Sequence, residues 1–474
     1  MDQIPTGAFP RRRPSSSPHP AVTAMAAVAA ALVLAIAIGA GLGLATGTAA
    51  RAATIYRYVA TTGSDYWTGS STRPWRTIRH AVKVVPAGTT IIVRSGTYSS
   101  FAVTRPSLTV RSATGARVVV SGGTYPVLVR GTSRVTIRGL IIRGAPKLWG
   151  SGVRVESSSS VVIERNVIRD NHSFGIKVKN ATRVTIRYNE ITKNDTGIEL
   201  SGAVGGTNVR SNRIHHNDRM VTSSRGGNAI VFSLTTGAVT VSGNQIWGNR
   251  ARHLDGIGYD GGAFEVYGAS DLLISGNIVW DNNNVMETGT DGTAPCSRIR
   301  FVRNVAMGKG TVAGETQGMI LRCASDSLVA HNTFDGLDQF AFYVTESGSH
   351  AGGIGGLRVV DNIVVRGRAW SLAAGLPAGL DFDYNLVFPG GSTATYADRV
   401  AYVEGRGNTS SLAEFRSWTG YEAHGLQGDP RFVDRAAGDY HLRAGSPAID
   451  AGVTVLSDPV IGSAADIGRY EYAP

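Results

Sequence analysis

Cysteine is almost missing from this chain: two residues in 474 are too few for a disulfide-dense scaffold or a four-Cys zinc site. Charge is sparse too, at 17%, which excludes a coiled coil and an acidic disordered chain. Acidic residues are the minority sign, 35 against 47 Lys and Arg. The resulting +12 favours an anionic polysaccharide, cell-wall polymer, membrane surface or nucleic acid as partner. Helical 3.6-residue spacing is absent from the central chain. What is abundant is glycine, 60 residues, beside 42% hydrophobic residues that suffice for a sizeable core. A repeat architecture absorbs such a length in one continuous body, where two or three domains would otherwise be expected.

The N-terminus reads as addressing. Arg11, Arg12 and Arg13 precede an apolar stretch from Ala21 to about Ala45, with no charge before Arg51. Residues 1–52 therefore read as an export signal, or as an uncleaved anchor, since the run is long enough to span a bilayer. Cleavage after Ala52 removes four Arg and one Asp and leaves a body of +9. A secreted or extracellular protein follows, touching membrane only through this segment. Export makes Cys296 and Cys323 candidates for one disulfide, with two separate core thiols as the alternative.

Internal periodicity dominates the rest. VVIERNVI (161–168), RVTIRYNEI (183–191), NVRSNRI (208–214), VTVSGNQI (239–246) and LLISGNIV (272–279) share one template. IRFVRNVA (299–306), LVAHNTF (328–334), LRVVDNIV (357–364) and LDFDYNLV (380–387) continue it. Each places an Asn in one column: 166, 189, 212, 244, 277, 304, 332, 362 and 385. Intervals run from 23 to 33, so the longer coils carry inserted loops. Apolar residues sit three before the Asn, most often five before it, and again two after. Alternation that shifts phase and resumes is two short strands joined at a corner. The Asn is expected to be that corner, tolerating a left-handed backbone and stacking its amide from coil to coil.

A further strand lies ten to thirteen residues ahead of each Asn, as in GVRVE (152–156), GIKVK (175–179), AFEVY (263–267) and VMETG (285–289). Alternation turns Val153, Ile176, Phe264 and Met286 inward. Arg154, Lys177, Lys179, Glu199, Glu265, Tyr267, Glu287 and Arg322 then form a ladder on one exterior face. The fold expected is all-β: a single-stranded right-handed parallel β-helix. Residues 53–133 would hold the N-terminal cap and first coils, 134–390 the Asn-bearing coils, and 391–474 a closing segment. Leu412, Phe415 and Trp418 predict a short helix over 411–419.

The segment RYVATTGSDYWTGSSTRPWRTIRHAVKVVPAGTTIIVRSGTY (57–98) resembles the opening of secreted right-handed β-helix proteins. DPRFVDRAAGDYHLRAGSPAIDAG (429–452) is similar to their closing segment. With the Asn coils between, the chain resembles the pectate-lyase-like superfamily, nearest to family nine pectate lyases. That resemblance implies an extracellular polyuronate or related polysaccharide, and Ca²⁺ as cofactor. Its catalytic motif is not matched: Gly261-Gly262-Ala263-Phe264-Glu265-Val266 puts Glu265 where the family has Lys, and the paired-Asp run is missing. Motifs of alginate epimerases and polygalacturonases are missing as well.

The ladder residues admit three chemistries. A β-eliminating lyase, the reading carried forward, would use Lys177 or Lys179 as base and Arg322 to neutralise a uronate, with Glu265, Glu287 and Asp291 as Ca²⁺ ligands. A glycoside hydrolase would use Glu265 and Glu287, expected on neighbouring coils. A noncatalytic adhesion module would only bind glycan. In each reading Glu199, Tyr267, Arg154 and Trp280 are the expected substrate contacts. Solvated charges paired across coils would give the same composition. Long loops such as NNNVMETGTDGTAPCSR (282–298) would wall a groove. The His residues lack zinc spacing, and no basic run or zinc finger points to nucleic acid. A monomer is expected.

Overall fold

The computed structural model describes residues 54–473 except 147, 223–224, 255–257, 293, 309–315, 349, 391–395 and 458. The expected export segment, residues 1–52, lies outside the described residues.

The chain winds into three thirteen-stranded sheets. Sheet 1 begins at Phe101–Val103, sheet 2 at Ile55–Val59 and sheet 3 at Gly96–Ser99. Successive coils pair in parallel, as in Ile163 with Ile186 and Ile168 with Ile191. Sheet 1 departs from this only at its last pair, where Gly407–Thr409 runs antiparallel to Ala401–Val403. This is a right-handed parallel β-helix. Its bore is filled by inward residues at or near zero exposure, among them Val153, Ile176, Ile198, Ile230 and Phe264. Towards the C-terminal end the filling turns aromatic: Phe334, Phe342, Trp370 and Phe382 follow with centroids 4.9–5.0 Å apart.

Two helices plug the ends. Helix α1 (Ile78–Val84), capped by the Thr77 hydroxyl, buries Ile78, Ala81 and Val82. Helix α2 (Leu412–Thr419) starts at Ser411 and ends on Gly420 at φ 77°. It agrees with the helix expected over 411–419, and its buried Phe415 stacks 6.0 Å from Trp370.

The Asn column stacks as expected but with one shift. From Asn189 onward each Asn Oδ1 accepts both the backbone N–H and the side-chain amide of the Asn one coil earlier, as Asn189 does from Asn166 at 3.0 and 3.1 Å, while Asn166 Oδ1 accepts the Leu140 N–H at 3.0 Å. The left-handed residue, however, is the one before it: Arg165, Tyr188, Ser211, Gly243, Gly276, Arg303, His331, Asp361 and Tyr384, with φ of 53–63°. The corner throws that residue outward, which leaves the Asn turned inward and buried. A second column, absent from the sequence reading, lies five residues on: Asn171, Asn194, Asn217, Asn249 and Asn282, linked by amide bonds of 2.8–3.0 Å. It marks the corner between sheets 3 and 1.

Candidate functional site

Sheet 1 carries the ladder. Register pairing aligns Arg154, Lys177, Glu199, Val231, Glu265, Glu287 and Ile320 in one outward column. Glu156, Lys179, Ser201, Ser233, Tyr267 and Gly289 form the next. Val231 divides the first column into two charged groups.

The upstream group is internally paired. Lys177 Nζ lies 2.7 Å from Glu199 Oε1 and 4.2 Å above the Phe174 ring. Arg154 is buried, 5.7 Å over Tyr125, with Nη2 3.4 Å from Glu156. Lys179 is exposed. The strands of Lys177 and Arg322 are five coils apart, roughly 24 Å at ~4.8 Å per coil. These lysines and Arg322 do not meet on one sugar.

The downstream group is where carboxylates meet a guanidinium. Glu265 and Glu287 are directly paired on the strands Gly262–Tyr267 and Asn284–Gly289. Their surroundings differ. Glu265 Oε2 accepts from the Asn228 amide at 2.6 Å, whereas Glu287 Oε1 accepts from Arg322 Nη2. Arg322 is fixed in turn: its Nε donates to Thr288 O at 3.3 Å and its N–H to Thr288 Oγ1 at 3.1 Å. Burial pulls the Arg322 guanidinium below its ordinary value, with Tyr343 and Glu265 opposing that shift. Tyr267, one column over, lies with its hydroxyl 3.5 Å from His350 Nδ1. Burial, then the charges of Asp291 and Glu265, push its phenol up.

The Cys296–Cys323 disulfide is present, with Cα atoms 5.2 Å apart, and it pins the residue next to Arg322 to the loop at 296. Asn228, Thr288 and His350 escaped the sequence reading. Gly262 was the available signal for this edge of the site, since a Cβ there would overlap Asn284 Oδ1. Trp280 is not on this face. It belongs to sheet 3, stacked 4.7 Å from Trp247, which stacks 4.1 Å from His215.

Among the described residues no three His, Cys, Asp or Glu side chains gather as a metal-ligating group. Glu265 and Glu287 are engaged by Asn228 and Arg322, and Asp291 does not complete a ligand set with them. The residues do not fit Ca²⁺.

Residues 108–279 match the family described as right handed beta helix region, and residues 61–110 match a protein family of unknown function, DUF1565. The uncharacterized protein YwoF of Bacillus subtilis (strain 168) is 24% identical, covering 83% of this chain and 92% of its own. Among solved structures, XylC in complex with xylose superposes with a TM-score of 0.52 at 12% identity, over 80% of this chain and 87% of its own. Pectate lyase Pel9A gives 0.49 at 18% identity, over 89% and 97%. With three stacked parallel sheets, asparagine corners and this matched coil region, the chain has the right-handed parallel β-helix fold, and its residues 108–279 are similar to the right handed beta helix region family.

Proposed function

We propose that the outer face of sheet 1 binds an acidic polysaccharide outside the cell and that Glu265 and Glu287 hydrolyse it. The observation that carries this reading is the register pairing of two carboxylates with different partners on one outward face. Neighbouring coils lie ~4.8 Å apart, close to the ~5–5.5 Å that retaining glycosidases use. Glu287, bonded directly to the Arg322 guanidinium, is the better anion, which gives the proton-donor role to Glu265. Glu265 then protonates the glycosidic oxygen as its bond to the anomeric carbon breaks, and Glu287 attacks that carbon. Water later displaces Glu287, returning its proton to Glu265. The basic body and the export signal support an acidic, extracellular substrate.

Arg322 beside the pair favours a second reading, β-elimination, with Arg322 neutralising a uronate and Glu265 removing its C5 proton as the C4–O bond breaks and the departing oxygen takes a proton from water. The lysines are too distant to serve as that base. A panel of acidic polysaccharides separates the outcomes. Hydrolysis yields reducing ends without unsaturated-uronate absorbance; elimination yields that absorbance; retention without products leaves a binding module. Glu265→Gln is expected to cut turnover by about 10²–10⁴-fold while glycan retention persists. Unchanged turnover in Glu265→Gln and in Arg322→Ala would remove this site from the chemistry.

A further inference from the structure

A second concave site lies between the last coils and the closing segment, on sheet 3 rather than sheet 1. Its cavity is about 560 Å³, and Arg366, Arg431, Arg435 and Arg443 line it. Arg366 follows the strand Ile363–Val365, Arg431 and Arg435 flank Phe432–Asp434, and Arg443 follows Asp439–Leu442. Separate elements thus bring four arginines to the lining of one cavity.

The carboxylates nearby do not match them. Asp335 is buried and receives Arg366 Nε at 2.6 Å, Arg435 Nη1 at 3.9 Å and the Tyr440 hydroxyl at 2.8 Å. Asp429 Oδ1 accepts the backbone N–H of Arg431 at 2.8 Å. The remaining forks are oriented by neutral carbonyls: Arg431 Nη1 donates to Gly445 O at 3.1 Å, and Arg443 Nη2 to Val433 O. Backbone carbonyls fix a guanidinium without neutralising it, so Arg431 and Arg443 stay exposed, oriented and cationic. One wall is apolar. Phe388 is 39% exposed there, with Pro389 and Pro430 beside it.

We propose that this cavity binds a uronate residue of an acidic oligosaccharide, its carboxylate on Arg431 and Arg443 and its ring against Phe388. Oriented guanidinium forks suit a planar carboxylate, and an exposed aromatic face beside them suits a sugar ring. The volume falls within the range of small-ligand clefts. The ligand class is shared with the sheet 1 reading, but the two sites use different residues and can fail separately.

The test is calorimetric titration of the full chain with trigalacturonate, a neutral galactose trimer and inorganic sulfate. Arg431→Ala with Arg443→Ala is expected to weaken trigalacturonate binding at least tenfold, and Phe388→Ala to weaken it without altering sulfate binding. Both target exposed side chains and leave the buried Asp335 contacts in place; an unchanged unfolding midpoint checks this. The Glu265→Gln, Arg322→Ala double variant should retain this binding. Loss of trigalacturonate binding in that groove variant alone would overturn the cavity and keep the groove. Equal binding of the neutral trimer, or full affinity in the arginine variant, would overturn the cavity as well.

Discussion

Glu422 closes the first asparagine column. Its two oxygens accept the Asn385 N–H and side-chain amide at 3.2 and 2.8 Å, where another coil would have supplied the next Asn. Each Asn amide donates forward to the next Asn Oδ1 and back to a carbonyl of the preceding coil, as Asn189 does to Asn212 Oδ1 and to Ile163 O, and the last forward donors meet the Glu422 carboxyl group. Complete burial nevertheless pushes that carboxyl from its ordinary 4.5 up to about 8, against the Asn385 donors. Between those values the native state holds a proton that the unfolded chain has released. The contribution of Glu422 to stability is therefore greatest at low pH and is lost as pH rises through about 8. Urea unfolding of the wild type and Glu422→Gln from about pH 5 to about pH 9 checks it. The wild type should lose on the order of 3–5 kcal/mol relative to the variant; a constant difference, or one that grows in favour of the wild type, rejects it. Spacing alone made the Asn column legible. Its left-handed neighbour was misassigned by one residue because Arg165, Tyr188 and Arg303 are not residue types that announce a positive φ.

At the scale of elements, the strand Gln317–Leu321 delivers Arg322 just beyond its last ladder position, where parallel pairing no longer fixes it. The disulfide and Thr288 take over there. Cys323 is bonded to Cys296, and the N–H groups of Arg322 and Cys323 both donate to Thr288 Oγ1 at 3.1 Å. A bridge closing 27 residues is worth about 3–4 kcal/mol by chain entropy. Cys296→Ser with Cys323→Ser is expected to lower stability by that order and to reduce turnover through a looser Arg322. Exported wild type should take up no thiol reagent before reduction. Two reactive thiols in native exported protein would defeat both the structural role and the oxidising location. The outward faces were legible here because period-two alternation fixes a side chain's face once the strand is found. Sheet membership was not: Trp280 alternates outward as Tyr267 does, but on sheet 3, and only the winding of the coil separates them.

The whole molecule needs its closing segment for a reason visible in the outward faces of sheets 2 and 3. Earlier coils put Arg187, Arg210 and Ser242 outward on sheet 2, and Arg169, Thr192 and His215 outward on sheet 3. Later coils put Val302, Ala330 and Val360 outward on sheet 2, and Val305, Met307, Ile363, Val365 and Leu386 outward on sheet 3. Water would meet apolar strips there, interrupted on sheet 3 only by Thr333 and Asp335. The closing segment covers it, with Leu456 over the first group and Tyr440, Leu442, Ala448 and Ile467 over the second. Polar anchors set its course: the Tyr440 hydroxyl on buried Asp335, and the Val453 N–H on Asp361 at 2.9 Å. Sequence resemblance identified this segment as an ending, but not as a second layer, because its few short strands carry no repeat. Truncation after Gly428 should therefore yield a chain that binds apolar dye, self-associates and melts well below the full protein, since an exposed strip of that extent favours association. The Asn columns and bore filling remain intact in such a truncation, so it separates the coil's own stability from that of its cover. A monomeric truncated chain with an unchanged melting temperature would mean that the coils are self-sufficient and that the segment serves only the arginine-lined cavity.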